Sequence, residues 1–341
     1  MNRYRHWASA CIILSLGLSH QVYASELKQC TERHLAISQE EVTVGEIRAL
    51  CAAEVSTEKD DSLIIRGKQA KAGALTKRVL QERQSEQSEF VLTAHKMNYI
   101  LPVYTTSQIN PDAYSDNQTY SDGFKDVESK FQLSLKFPLS YQSIFFDGDR
   151  LYGAFTLEAW WQVYASDISS PFRETNYTPE LFYIMPLDWH PNEANTGLML
   201  GIEHQSNGRS TTLSRSWNRV FAEFIYEQGN LVGFVRPWYR LPEEMKSDPK
   251  DTGGDDNPDI EEYMGHAEWG LGYDFGRYEL SVKMHGNVST RKGGIQANLT
   301  TPLYGKLKGY VTLFNGYGDS LIDYNHSQTR VGVGIALNNM F

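Results

Sequence analysis

The chain of 341 residues has only three cysteines, no excess of basic residues and, beyond its first two dozen positions, no long apolar run. Each shortage excludes something. Lys and Arg number 32 against 42 Asp and Glu, a net charge of −10 with no basic stripe, which argues against a nucleic-acid partner. No stretch past the start reaches the roughly 18 apolar residues of a membrane helix. Any crossing would have to be made by strands, which need only about 9–11 residues each. The cysteines follow from the leader. Arg3 and Arg5 form a basic start, ACIILSLGL is a short apolar core, and Val22-Tyr23-Ala24 precedes Ser25. This pattern predicts a secretory signal peptide over residues 1–24. Cys11 precedes most of the apolar core, so no lipoprotein cleavage is expected there. Cys30 and Cys51 remain, and in an oxidising compartment they are expected to close one loop, with two unpaired thiols as the alternative.

Aromatic residues and glycine are plentiful: 20 Tyr, 15 Phe, 7 Trp and 27 Gly, a mixture that suits strands and tight turns. Residues 25–93 stand apart. SQEEVTVGEIRALCAAE and ALTKRVLQERQSEQSEF are charged and helix-forming, and predict a small exposed periplasmic region with two short helices. From residue 94 the pattern has period two. In TRVGVGIALNNMF, Val331, Val333, Ile335, Leu337 and Phe341 share one parity, and a final aromatic of this kind resembles the insertion signal of bacterial outer-membrane barrels. Leu151, Phe155, Leu157 and Trp161 alternate with Thr156, Glu158 and Gln162, and Leu280, Val282 and Met284 with Ser281, Lys283 and His285. About twelve such segments lie between residues 94 and 341, an even number of the kind a closed bacterial barrel requires. The expected fold is all-β: a twelve-stranded antiparallel transmembrane β-barrel of the outer membrane over 94–341. EQGN (227–230) and DFG (274–276) are tight connections, whereas 106–127, 165–178, 207–215 and 242–261 are long and polar, which places the long loops outside the cell. The inward parity carries Glu158, Glu203, Arg219, Glu223, Arg236, Glu268 and Lys283, charges of both signs that fill a narrow barrel. An open pore needs more strands, so a porin is the weaker reading.

The segment EHQSNGRSTTLSRSWNRVF (203–221) carries the chemistry. Leu198, Leu200, Ile202, His204 and Ser206 lie on one face of a strand, and Asn218 shares parity with Val220, Ala222, Phe224 and Tyr226 on the next. Adjacent antiparallel strands bring such residues together. All three polar side chains would then emerge on the lipid-facing wall, where the available substrate is a membrane lipid. A serine hydroxyl becomes a nucleophile when a base takes its proton. His204 suits that task and can later protonate the leaving alcohol. Asn218 can fix the imidazole tautomer through its amide oxygen, without the cost of a carboxylate against hydrocarbon. Gly208 lets backbone N–H groups approach an oxyanion. The short motif His-x-Ser alone is common; the shared outward parity is what raises its weight.

HQSNGRSTTLSRSWNR closely resembles the active-site segment of the bacterial outer-membrane phospholipase A family. The resemblance extends through SSPFRETNY (169–177), VRPWY (235–239), DDNPDI (255–260) and GYGDSLIDYNHSQTRVGVGIALNNMF (316–341). It implies a twelve-stranded barrel whose calcium-dependent homodimer hydrolyses phospholipid acyl esters with A1 and A2 regiochemistry. By position it implies Ser206 as nucleophile, His204 as base, Asn218 as orienting residue and Gly208 as oxyanion donor. It further implies Ca²⁺ held by the Arg209 carbonyl and the Ser214 hydroxyl, with the Ser169 carbonyl from the partner subunit, an oxygen set that suits a hard cation. The family's second calcium position can use an aspartate where this chain has Thr211. Asp256, its acidic counterpart, remains, and an ordinary acidic turn is the alternative there. Two other functions fit an outward-facing barrel: a non-catalytic channel or structural barrel, and a deacylase acting on lipid A.

Overall fold

The computed structural model describes Cys30, Cys51 and residues 72–86, 91–110, 112–117, 122–248, 251 and 253–340. A disulfide joins Cys30 and Cys51. The expected signal peptide, the helix expected over 38–54 (apart from Cys51) and the terminal Phe341 lie outside the described residues. Among the described residues no helix is long and apolar enough to cross a membrane.

After helix α1 (Ala74–Glu86) and the two-residue strand β1 (Thr93–Ala94) come twelve long strands. They are β2 (Tyr99–Thr106), β3 (Val127–Pro138), β4 (Arg150–Trp161), β5 (Phe172–Leu187), β6 (Asn195–Ser206), β7 (Ser216–Gln228), β8 (Leu231–Arg240), β9 (Ala267–Asp274), β10 (Glu279–Asn287), β11 (Lys292–Tyr304), β12 (Leu307–Gly316) and β13 (Gln328–Ala336). Each pairs antiparallel with its chain neighbours, and β13 returns to β2, so the sheet closes with no free edge. Closure matters because hydrocarbon offers no water to satisfy an edge. Alternation decides which face is which. Leu200, Ile202 and Val220 are 42, 52 and 41 % exposed, while Glu203 and Glu223, their inward neighbours, are 5 and 8 % exposed. Only a lipid surrounding makes that inside-out distribution favourable.

The strand boundaries differ from expectation in several places, two of them with a visible cause. β5 begins at Phe172 rather than near 179. A bulge opposite Trp160 and Trp161 leaves Arg173 and Glu174 both buried in succession, which breaks the period of two. The start of β9 moves to Ala267 because Ile260–Met264 forms a short helix, α2, whose Ile260 is fully buried.

The interior is polar and paired. Arg219 meets Glu203 at 2.7 Å, Lys130 meets Glu158 at 3.4 Å, Lys283 meets Glu268 at 3.5 Å, and Arg236 pairs with Glu223. Toward the end bearing the long loops, Arg173 bridges Glu128 (3.0 Å) and Asp323 (2.9 Å), and Arg330 bridges Glu128 (2.9 Å) and Asp319 (3.2 Å). The 317–327 loop enters the barrel there. Trp160 Nε1 donates to Asp319 at 2.9 Å, and Asn176 Oδ1 accepts from the Leu321 N–H at 2.9 Å. At the other end α1 does the filling. Arg78 donates to the Ala94 and His95 carbonyls, Lys136 pairs with Glu82 at 2.7 Å, and the Thr76 N–H donates to Glu227 at 3.0 Å. A cavity of about 490 Å³ lies inside, lined by residues of α1 and of the inward strand faces. This polar, packed interior fits a scaffold better than a diffusion pore.

Asp319 and Asp323 make the loop's docking sensitive to acid. Burial pushes both carboxyls upward, but Lys130 and Arg330 beside Asp319, and Arg173 and Arg330 beside Asp323, outweigh it and hold them below the ordinary 3.8. A depressed folded-state value means that stability is fully present above the unfolded range and is lost as pH falls through the folded value. The temperature at which the barrel unfolds in detergent is therefore expected to be constant near neutrality. It should drop as pH falls below about 4, and an acid-insensitive transition would contradict the assignment.

Candidate active site

The β6–β7 hairpin positions the polar outward residues. Its register pairs Leu200 with Ala222, Ile202 with Val220, His204 with Asn218 and Ser206 with Ser216. On the other side of β6, Tyr177 of β5 stands opposite Ser206. His204, Ser206 and Asn218 thus occupy the outward parity at the long-loop end of the hairpin, just beyond an exposed apolar band. Each is partly covered. His204 Nδ1 lies 2.8 Å from Asn218 Oδ1. Ser206 follows His204 on the same face, about 6.8 Å along the strand at ~3.4 Å per residue. No side-chain hydrogen bond links Ser206 to His204 among the described residues, a spacing common before substrate is bound.

The 207–215 loop is held from within. Asn207 is buried; its Oδ1 accepts from the Arg215 N–H (3.0 Å) and the Arg209 N–H (3.3 Å), and its Nδ2 donates to the Leu213 carbonyl at 2.8 Å. Sequence reasoning passed over Asn207, although the Asn-Gly pair it begins is a turn signal. Gly208 has φ of 64°, and a β-carbon there would stand 3.1 Å from the Tyr177 ring, so the position demands glycine. Among the described residues nothing accepts the Gly208 N–H, two positions along the chain from Ser206. Arg209 reaches back to the Phe172 and Arg173 carbonyls, which anchors the loop to β5.

The expected calcium ligands are distributed over this loop and its neighbours. Ser214 Oγ donates to Asp256 Oδ2 at 2.7 Å, so the two meet, and Ser216 Oγ approaches the same oxygen at 3.4 Å. With its proton committed to Asp256, the Ser214 oxygen keeps lone pairs for a cation. Asp256 is also neutralised by an ion pair with Lys246. Ser169 lies in the 162–171 loop with φ of 63°, one of two successive left-handed serines. The carbonyls of Arg209 and Ser169 accept no hydrogen bond among the described residues. No group of three or more His, Cys, Asp or Glu gathers as a metal cluster among the described residues. Carbonyl and hydroxyl oxygens with a single carboxylate nearby fit Ca²⁺ completed by water, and fit softer metals badly.

Asn218 has a second partner absent from the sequence reading: its Nδ2 donates to Glu243 Oε1 at 2.9 Å. Glu243 belongs to the polar segment after β8, where no spacing or period marks it.

The chain matches the family model described as phospholipase A1 over residues 75–337. It is 40% identical to the Phospholipase A1 of Escherichia coli (strain K12) over 271 residues, 79% of this chain and 88% of that one. Among solved structures it is similar to outer membrane phospholipase A from Escherichia coli in an active-site mutant that replaces an asparagine by alanine. That match has a TM-score of 0.68 and 39% identity, covering 74% of this chain and 94% of the other. The Salmonella typhi outer membrane phospholipase dimer with bound calcium matches with the same TM-score at 40% identity, again over 74% and 94%.

Proposed function

Since the chain belongs to the phospholipase A1 family and is an outer-membrane enzyme of that activity, we propose that it cleaves acyl esters of glycerophospholipids and lysophospholipids, at both A1 and A2 positions, through Ser206, His204 and Asn218. The single observation that carries this reading is the 2.8 Å contact between His204 Nδ1 and Asn218 Oδ1 on the lipid-facing wall. The relatives support it: one active-site mutant lacks an asparagine, and another relative is a calcium-bound dimer.

An amide oxygen only accepts, so Nδ1 carries the ring proton and Nε2 keeps its lone pair. That lone pair takes the Ser206 proton as Oγ attacks the ester carbonyl. The Gly208 N–H donates to the oxyanion that forms. The imidazolium then gives its proton to the departing alkoxide, releasing lysophospholipid, or the glycerophospho alcohol when the substrate has one chain. Water, deprotonated by the same His204 nitrogen, hydrolyses the acyl-serine and releases fatty acid. The outward placement lets the acyl chains stay in hydrocarbon while the ester meets the polar loop.

Arg209, Ser214 and Ser169 of the partner subunit would hold Ca²⁺, which when bound supplies positive charge beside the developing oxyanion. A ligand set drawn from two subunits makes dimerisation a switch: scattered monomers in an intact membrane lack the third oxygen. Asp256, already satisfied by Lys246, is left with a structural part in fixing Ser214 and offers little to a second calcium.

Asn218→Ala is expected to lower kcat about a hundredfold, the low end of what a positioned base contributes, because water can replace part of the amide's role. KM should stay within twofold. Steady-state hydrolysis of mixed-micelle phospholipid measures both, and an unchanged kcat would remove Asn218 from the relay.

A further inference from the structure

We infer that Glu243 is a positioning residue for this reaction, fixing the orientation of the Asn218 amide and through it the tautomer of His204; the inference rests on the relay proposed above. A carboxylate accepts hydrogen bonds and cannot donate. Its contact with Asn218 Nδ2 at 2.9 Å therefore requires the amide NH₂ to face the loop. The amide oxygen is then left to face His204 Nδ1, 2.8 Å away. That nitrogen must carry the ring hydrogen, and Nε2 stays free toward the serine side. Without Glu243 nothing in this chain of contacts distinguishes one amide orientation from its flipped form. The flipped form would present NH₂ to Nδ1, favour hydrogen on Nε2 and disable the base.

Glu243 is itself held in place. The Leu241 N–H donates to the Asn218 carbonyl at 2.8 Å, which ties the segment to the strand bearing the asparagine. The Asp255 N–H donates to the Glu244 carbonyl at 2.7 Å, and Met245 and Asp255 form a parallel bridge. Arg240 meets Asp255 at 2.6 Å, and Lys246 pairs with Asp256. The residues on both sides of Glu243 are thus anchored to structure. The arrangement also separates two demands. A neutral amide faces the hydrocarbon, where an anion would be costly, and the carboxylate stays in the loop region outside it.

The test uses the full-length protein in detergent micelles with calcium. Glu243→Ala is expected to lower kcat about tenfold, the low end for a group that acts by orienting another, with KM within twofold. Glu243→Gln keeps an acceptor but can also donate to a flipped Asn218 amide, so it should recover only part of the rate. In protein labelled with ¹⁵N-histidine, the His204 nitrogen shifts should report a single Nδ1–H tautomer in the wild type and a mixture in Glu243→Ala. Adding Glu243→Ala to Asn218→Ala should cost nothing further. An impaired Asn218→Ala beside a fully active Glu243→Ala with one tautomer overturns this inference and leaves the relay standing. An unimpaired Asn218→Ala overturns the relay reading itself.

Discussion

Ser206→Ala is expected to abolish lipid hydrolysis, lowering kcat by about four to six orders of magnitude, the range seen when a serine nucleophile is removed from its relay. On this face of β6 the residues between Thr196 and His204 are Leu198, Leu200 and Ile202, so Ser206 is the strand's nearest hydroxyl to His204. Ser216, the cross-strand partner of Ser206, turns instead toward Asp256. Residual turnover would reflect only water held near the Gly208 N–H. The substitution removes one hydroxyl from a partly exposed strand end, so the barrel should unfold at an unchanged temperature in detergent. A long-chain sulfonyl fluoride should label wild-type Ser206, located by mass spectrometry of the modified peptide, and should spare the variant. Equal turnover by the two proteins in mixed micelles would refute the assigned nucleophile.

Removing calcium is the second large effect. Chelation is expected to reduce turnover about 10²–10³-fold, the scale of losing one oxyanion-stabilising contribution, and readdition of Ca²⁺ should restore it. The oxygens proposed as ligands sit on separate loops: Arg209 and Ser214 on 207–215, and Ser169 on 162–171. Dimer and metal should therefore depend on each other. Sedimentation in detergent should show a monomer–dimer equilibrium moved toward dimer by Ca²⁺, and Mg²⁺ should substitute poorly, because it demands tighter octahedral geometry. Undiminished activity in a covalently isolated monomer, or in the presence of chelator, would contradict the shared site.

The barrel was legible because lipid imposes a strict rule on one face of each strand. Leu200 and Ile202 on β6, Val220 on β7 and Val331 and Val333 on β13 show it plainly, and the same parity places His204, Ser206 and Asn218 outside. The rule weakens where the strands leave the hydrocarbon. At the start of β5 the polar run RETN reads as loop, yet Arg173, Glu174 and Asn176 are buried. Their partners, Glu128, Asp323 and the Leu321 N–H, lie far away in sequence. The helical character of ALTKRVLQERQSE was visible, but its seat was not, because Glu227, Lys136 and Tyr152 declare themselves as its partners only in three dimensions. The same limit hid Glu243. A loop glutamate carries no period, and its significance arises only from the fold that sets it beside Asn218.

The hairpin's polar side chains lie on the outward parity of the wall, not on the side of the interior cavity, so anything released there emerges at the barrel's exterior. At the proposed site, fatty acid and lysophospholipid would disperse sideways within the same leaflet that supplied the substrate. Turnover thus reshapes its own surroundings, and the wedge-shaped products gather first around the enzyme that made them.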